Sequence, residues 1–142
     1  RDGGRKAALD HHLAPHTSSN LHFKGAVKDT ASANWQGMVY VNPTATQTDG
    51  YQKNENLMLS PGARVYSKPG LEIITDDVKC SHGTTISEID ADQVFYLMSR
   101  GMSEKESKLL ILQGYFDSIL NNITYEPIRE KLQEKIYLKM DR

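Results

Sequence analysis

Apolar and polar positions alternate in short runs from about Asn20 to Thr85, then recur at three- and four-residue spacing from about Asp90 onward. The first stretch is rich in Thr, Val, Asn, Gly and Tyr, and runs such as Gly37-Met38-Val39-Tyr40-Val41 predict strands. It also carries a weak internal echo. Val27-Lys28-Asp29-Thr30-Ala31, Val41-Asn42-Pro43-Thr44-Ala45 and Leu59-Ser60-Pro61-Gly62-Ala63 share an apolar–polar–turn–small–Ala shape, with Ile74-Thr75-Asp76-Asp77-Val78 a looser fourth copy. A period of about 14 to 18 residues is too short for a repeat that contains a helix. It suits strands joined by repeated corners, with small Ala residues turned inward and Pro or Asp at the bend. Stacked into a parallel β-helix, such units bury apolar faces that none buries alone. Ordinary antiparallel hairpins are the competing reading of the same residues.

Past about Ser87 the period becomes helical. Asp90, with Gln93 three residues on, predicts an N-cap for a helix over Val94 to Arg100, and Gly101 reads as the residue that closes it. Ser103-Glu104-Lys105-Glu106 forms a second capping box, opening a helix to about Leu120 with Leu109, Leu112, Phe116 and Ile119 at helical spacing. Asn121-Asn122 breaks it. A third helix is expected from Glu126-Pro127, carrying Ile128, Leu132, Ile136 and Leu138. The predicted organisation is a β region over 1–87 and a small helical domain over 88–142.

The chain has 142 residues, enough to bury a core. Its 17 basic and 18 acidic residues leave a net charge of −1, no electrostatic reason to expect nucleic acid or an acidic membrane surface. No apolar run approaches the ~20 residues of a membrane span. The single cysteine cannot form an internal disulfide, which suits a reducing, cytoplasmic setting. The chain opens Arg1-Asp2-Gly3-Gly4 without a methionine, as expected of a piece of something longer.

That cysteine, Cys80, stands two positions before His82 in Asp76-Asp77-Val78-Lys79-Cys80-Ser81-His82-Gly83. On a strand the two side chains point to one face; on a helix they fall about 200° apart. Thiolate and imidazole both suit iron or zinc. Two ligands do not complete a tetrahedral site, so a metal held here takes the rest from a partner chain. A lone strand cysteine is more often an inert buried hydrophobe, and that reading stays open. His11, His12 and His16 invite a metal reading too, but Pro15 stops one strand or helix from aligning them, and structural roles are expected. Phe23, Trp35, Tyr40, Tyr51 and Tyr66 are scattered in a way that favours interior stacking over a sugar-binding face. Asp76-Asp77 reads as a turn into the Cys80 strand. Parts of an enzyme are missing: there is no Gly-rich phosphate loop, no Gly-x-Ser-x-Gly elbow and no acid pair at catalytic spacing. Leu109-Leu110-Ile111-Leu112 spans more than one helix face, so some of it is left for a partner.

Several runs in fixed order carry a resemblance: Thr48-Asp49-Gly50-Tyr51-Gln52, Asn56-Leu57-Met58-Leu59-Ser60, Leu71-Glu72-Ile73, Asp76 to Thr85, and Phe95 to Gly101. From about His11 to about Phe116 the chain resembles the C-terminal part of the SufB/SufD family, scaffold components of iron–sulfur cluster assembly. It is more similar to SufD: Asn54 stands where SufB carries a cluster-associated cysteine, and His82 where SufB has a glutamate. The resemblance implies a right-handed parallel β-helix followed by a small C-terminal helical domain, and a non-catalytic subunit. It implies an iron–sulfur cluster as transient cargo shared with a SufB-like scaffold at His82 and Cys80, His82 being the preferred metal ligand, with no tightly bound cofactor in isolation. It also implies docking of a SufC-type ABC ATPase by the last helices, through Leu109, Leu112, Phe116, Ile128 and Leu132. A homodimer in isolation, a SufB-like homodimeric scaffold and a carbohydrate-active β-helix enzyme are the alternatives.

Overall fold

Each strand of the β region pairs only with strands two places away along the chain, so the polypeptide alternates between two sheets. The computed structural model describes residues 3–140. Its strands are β1 (Gly3–His12), β2 (Ser18–Val27), β3 (Ser32–Val41), β4 (Thr48–Met58), β5 (Arg64–Ile73) and β6 (Val78–Glu88). One three-stranded sheet has the order β1-β3-β5 and the other β2-β4-β6, and all four pairings are parallel. One circuit carries Gly3 to its partner Ser32, and the next carries Ser32 to Arg64. The shorter period seen in the sequence is thus one strand plus one corner, half of a circuit. Hairpins are excluded, since no two sequential strands pair.

The echoed segments are the corners. Ala31 N–H donates to the Lys28 carbonyl at 3.1 Å, Ala45 to Asn42 at 2.9 Å, and Ala63 to Ser60 at 3.0 Å, one turn built three times. Corners also bond to the corner one circuit away: His16 N–H reaches the Thr46 carbonyl at 2.9 Å, and Gln47 N–H the Asp77 carbonyl at 2.5 Å. Gly62 is required by this stacking, because a Cβ there would lie 2.7 Å from the Asp29 carbonyl oxygen. Val39, Val41 and Ala45 are fully buried, with Leu21, Leu71, Val78 and Cys80 packed against them. The strands start before Asn20 and end after Thr85, so the regular region is longer than the alternation suggested.

The aromatic residues divide between the faces. Trp35 is buried and Phe23 lies against it, ring centroids 5.4 Å apart, as interior stacking requires. Tyr40 instead meets the His11 ring edge-on at 4.4 Å, and Tyr51 and Tyr66 are exposed, contrary to the expectation of interior stacking. A buried tyrosine needs a hydrogen-bond partner for its hydroxyl, which a position facing solvent does not demand of the protein.

The described residues fall into two compact units, one ending at Glu88 and the other opening at Ile89. The second holds α1 (Ala91–Ser99), α2 (Glu104–Leu120) and α3 (Glu126–Met140). Asp90 caps α1 by accepting from Asp92 N and Gln93 N, and Ser103 and Glu106 form a complete capping box on α2. Gly101, at φ 97°, closes α1: its N–H donates to the Met98 carbonyl and that of Met102 to Leu97, the paired bonds of a left-handed helix stop. Val94, Leu112 and Leu120 are the buried apolar residues of this unit.

Candidate functional site

β6 is the outer strand of its sheet, and its register sets Cys80 beside Gly50 and His82 beside Gln52. Neighbours in register in a parallel sheet share a face. On β4 the residues of that face, Gly50, Gln52, Asn54 and Asn56, are buried and alternate with less buried ones. Cys80 and His82 therefore both belong to the inward face, as an extended segment demands. Their surroundings differ. Cys80 is half-buried against the Val39 cluster, whereas His82 is exposed, and among the described residues no strand continues the sheet past β6.

A second imidazole, that of His12, borders the glycine that stands beside Cys80. A Cβ placed on Gly50 would lie 3.1 Å from Cys80 Sγ and 3.6 Å from His12 Nε2, so both converge on one glycine. His12 is itself buried and held, with Nδ1 2.7 Å from Thr17 Oγ1, Nε2 2.9 Å from Ser19 Oγ, and Asp10 Oδ2 at 3.3 Å. It locks the corner that leaves β1, the structural role expected of this histidine run. His11 lies on the opposite face of β1, and His16, at φ 59°, sits in the turn, so the three imidazoles do not meet. Among the described residues no group of three or more His, Cys, Asp or Glu side chains is arranged to hold a metal ion. Cys80 and His82 offer two ligands at most, short of the four of a tetrahedral site.

Behind this edge the interior is polar, which the sequence reading missed. Asn54 Oδ1 accepts from Asn56 Nδ2 at 2.5 Å and from Ser67 Oγ at 2.9 Å, and Thr84 Oγ1 on β6 donates to Ser67 Oγ at 2.7 Å. Tyr51 to Asn56 is polar at nearly every position, so alternation carried no sign of which side faces in. The opposite face of the same strand carries Glu55, with His22 Nε2 at 2.5 Å, Lys53 Nζ at 3.0 Å and Lys24 Nζ at 3.7 Å. Partial burial pushes the Glu55 carboxyl upward, but the hydrogen bonds from His22 and Lys53 and the charges of Lys24 and Lys53 outweigh it and hold it below its ordinary range.

In the helical unit Ile128 and Leu132 are exposed, and Leu109 and Phe116 are half-buried. Leu112, also expected among the docking residues, is 3 % exposed and packs inside the unit. Leu110, Tyr137 and Leu138 are exposed instead. Phe116, Leu120, Ile136 and Tyr137 line a groove of about 240 Å³ between α2 and α3. No helix among the described residues is long and apolar enough to cross a membrane.

The family model described as SUF system FeS cluster assembly, SufBD core domain, matches residues 6–115, and the chain belongs to that family. It is 40% identical over 127 residues to an iron–sulfur cluster assembly SufBD family protein of Synechocystis, covering 89% of this chain and 27% of that one. Over 128 residues it is 36% identical to the iron–sulfur cluster assembly protein SufD of Escherichia coli, covering 90% and 30%. With the chloroplastic protein ABCI7 of Arabidopsis thaliana it shares 34% identity over 131 residues, covering 92% and 27%. The chain thus spans about 30% of the length of these relatives.

Proposed function

We propose that the protein acts as a SufD-like subunit of an iron–sulfur cluster assembly complex in the cytoplasm, its β region being the end of a right-handed parallel β-helix. Family membership supports work on iron–sulfur clusters. The observation that carries the finer reading is the placement of His82: exposed, on the inward face of the outermost strand, beside a half-buried Cys80. A ligand in that position is blocked by no further strand of its own sheet and is open to a second chain laid against the edge. A SufB-like scaffold is the partner of choice, supplying the remaining ligands for a cluster that is cargo rather than a resident group.

Asn54 favours the SufD-like over the SufB-like reading. It is 2 % exposed and committed to Asn56 and Ser67, so this position supplies no thiolate. The helical unit is assigned to a SufC-type ABC ATPase, supported by the exposed Ile128 and Leu132. In this reading the subunit carries out no chemistry of its own, and ATP hydrolysis by the partner moves the surface that His82 occupies.

The test is co-purification of the whole protein with both partners, repeated with His82→Ala. Recovery of the ATPase and the scaffold with both forms, and cluster formation only with wild type, is the expected result. A protein that elutes with neither partner overturns the proposal.

A further inference from the structure

Gln52 and Trp35 reach toward each other across the interior and meet over Gly37. A Cβ on Gly37 would lie 2.7 Å from Gln52 Nε2, 2.7 Å from Trp35 Cζ2 and 2.4 Å from Trp35 Cη2. Gln52 is 0 % exposed and Trp35 4 %. Yet Gln52 Nε2, Gln52 Oε1 and Trp35 Nε1 are all buried without a hydrogen-bond partner. Nearly every buried polar group in a folded protein is paired, because stripping its water without replacement is costly. Three orphans on two side chains that meet at one glycine call for a partner.

The neighbouring protein groups do not supply it. Asn54 Oδ1 already receives Asn56 and Ser67, and Ser67 Oγ receives Thr84. An aromatic face can take one amide N–H but offers nothing to Oε1 or to the indole N–H. What remains is a small species that donates to one atom and accepts from the others.

We propose that Gln52 and Trp35 form an internal hydration site, where a resident water donates to Gln52 Oε1 and accepts from Gln52 Nε2 and Trp35 Nε1. Water has the balance of donors and acceptors these atoms require, and buried waters of this kind commonly make about three hydrogen bonds. Because Gln52 and Trp35 are closed to solvent, exchange waits on opening of the coil, and the water is long-lived.

Trp35 is the chain's only tryptophan, so its indole N–H gives a single assignable signal. In the whole chain, a water–protein nuclear Overhauser effect at that proton, with the sign of a long-lived water, is expected. Oxygen-17 relaxation dispersion should lose one long-lived water in Gln52→Leu, and the melting temperature of that variant should fall. A dry site gives the reverse: replacing a stranded amide with an isosteric apolar group raises the melting temperature. No water signal at the indole N–H, or an unchanged dispersion in Gln52→Leu, overturns the proposal. If Gln52→Leu does not fold, the wild-type indole signal alone decides.

Discussion

Gly50 and Cys80 stand side by side in the β4–β6 ladder, and the absence of a side chain on the first makes room for the sulfur of the second. A methyl group on Gly50 would sit 3.1 Å from Cys80 Sγ, tighter than ordinary van der Waals contact. Overpacking of this kind costs about 1–3 kcal/mol. Gly50→Ala is therefore expected to lower stability by about 1 kcal/mol, the low end, because β6 is an outer strand and can shift. The double variant Gly50→Ala, Cys80→Ala should recover part of that loss, since the second change removes the sulfur. A denaturant-melt cycle over the four proteins measures the coupling, and purely additive effects would show that the two positions do not press on each other.

The inward face of β6 also separates the two candidate ligands by their burial. His82→Ala removes an exposed ring and should change stability by about 0.5 kcal/mol or less. Cys80→Ser puts a hydroxyl against the Val39 cluster and should cost about 1 kcal/mol. In complementation of a strain that lacks the subunit, the order is expected to reverse, with His82→Ala the more damaging. Full rescue by His82→Ala at equal protein level would remove this histidine from the assembly reaction.

The contrast between what was and was not legible in the sequence follows from how far each signal reaches. Asp90, Gly101, Ser103 and Asn121 set helix ends within a few residues of themselves, and each stands where its chemistry placed it. The corner motif was visible as well, since Ala31, Ala45 and Ala63 close the same local turn. Pairing between strands about 30 residues apart leaves no local trace, so the residues alone left hairpins open beside a parallel coil, and the resemblance pointed to the coil. The Gln52–Asn54–Asn56 line was hidden for a further reason: its interior is polar, and both faces of β4 read alike. The convergence of His12 and Cys80 on Gly50 depends on three circuits stacking in register, and no spacing within the sequence announces it.

The Glu55 cluster gives a pH dependence with a definite sign. Its carboxyl is held below the ordinary 4.5, so the folded state favours the charged form. The stabilisation is present above the unfolded value and is lost as pH falls through the lower folded value. Glu55→Gln should cost about 1 kcal/mol at neutral pH. That gap between wild type and variant should narrow below about pH 4.5. Urea melts from pH 7 down to pH 3 follow it, and a gap that stays constant would show that His22, Lys24 and Lys53 do not act through the charge.

Leu112 and Leu132 sit on neighbouring helices, and their different burial makes them a paired test of the helical unit. Leu112 is 3 % exposed, so Leu112→Glu buries an unpaired carboxylate and should unfold α1 to α3, seen as loss of helical circular dichroism. Leu132 is 37 % exposed on α3, with Ile128 one turn earlier at 51 %. On that face Leu132→Glu should leave the melting temperature within a few degrees of wild type, because the new charge is largely in water. If this face docks the ATPase, the same charge is trapped at an apolar contact and binding should weaken at least tenfold. Isothermal titration with the purified ATPase subunit reads that change directly. Unaltered affinity in a folded Leu132→Glu protein would move the docking surface to another face, with the exposed Phe95, Tyr96 and Met98 of α1 the next to be substituted.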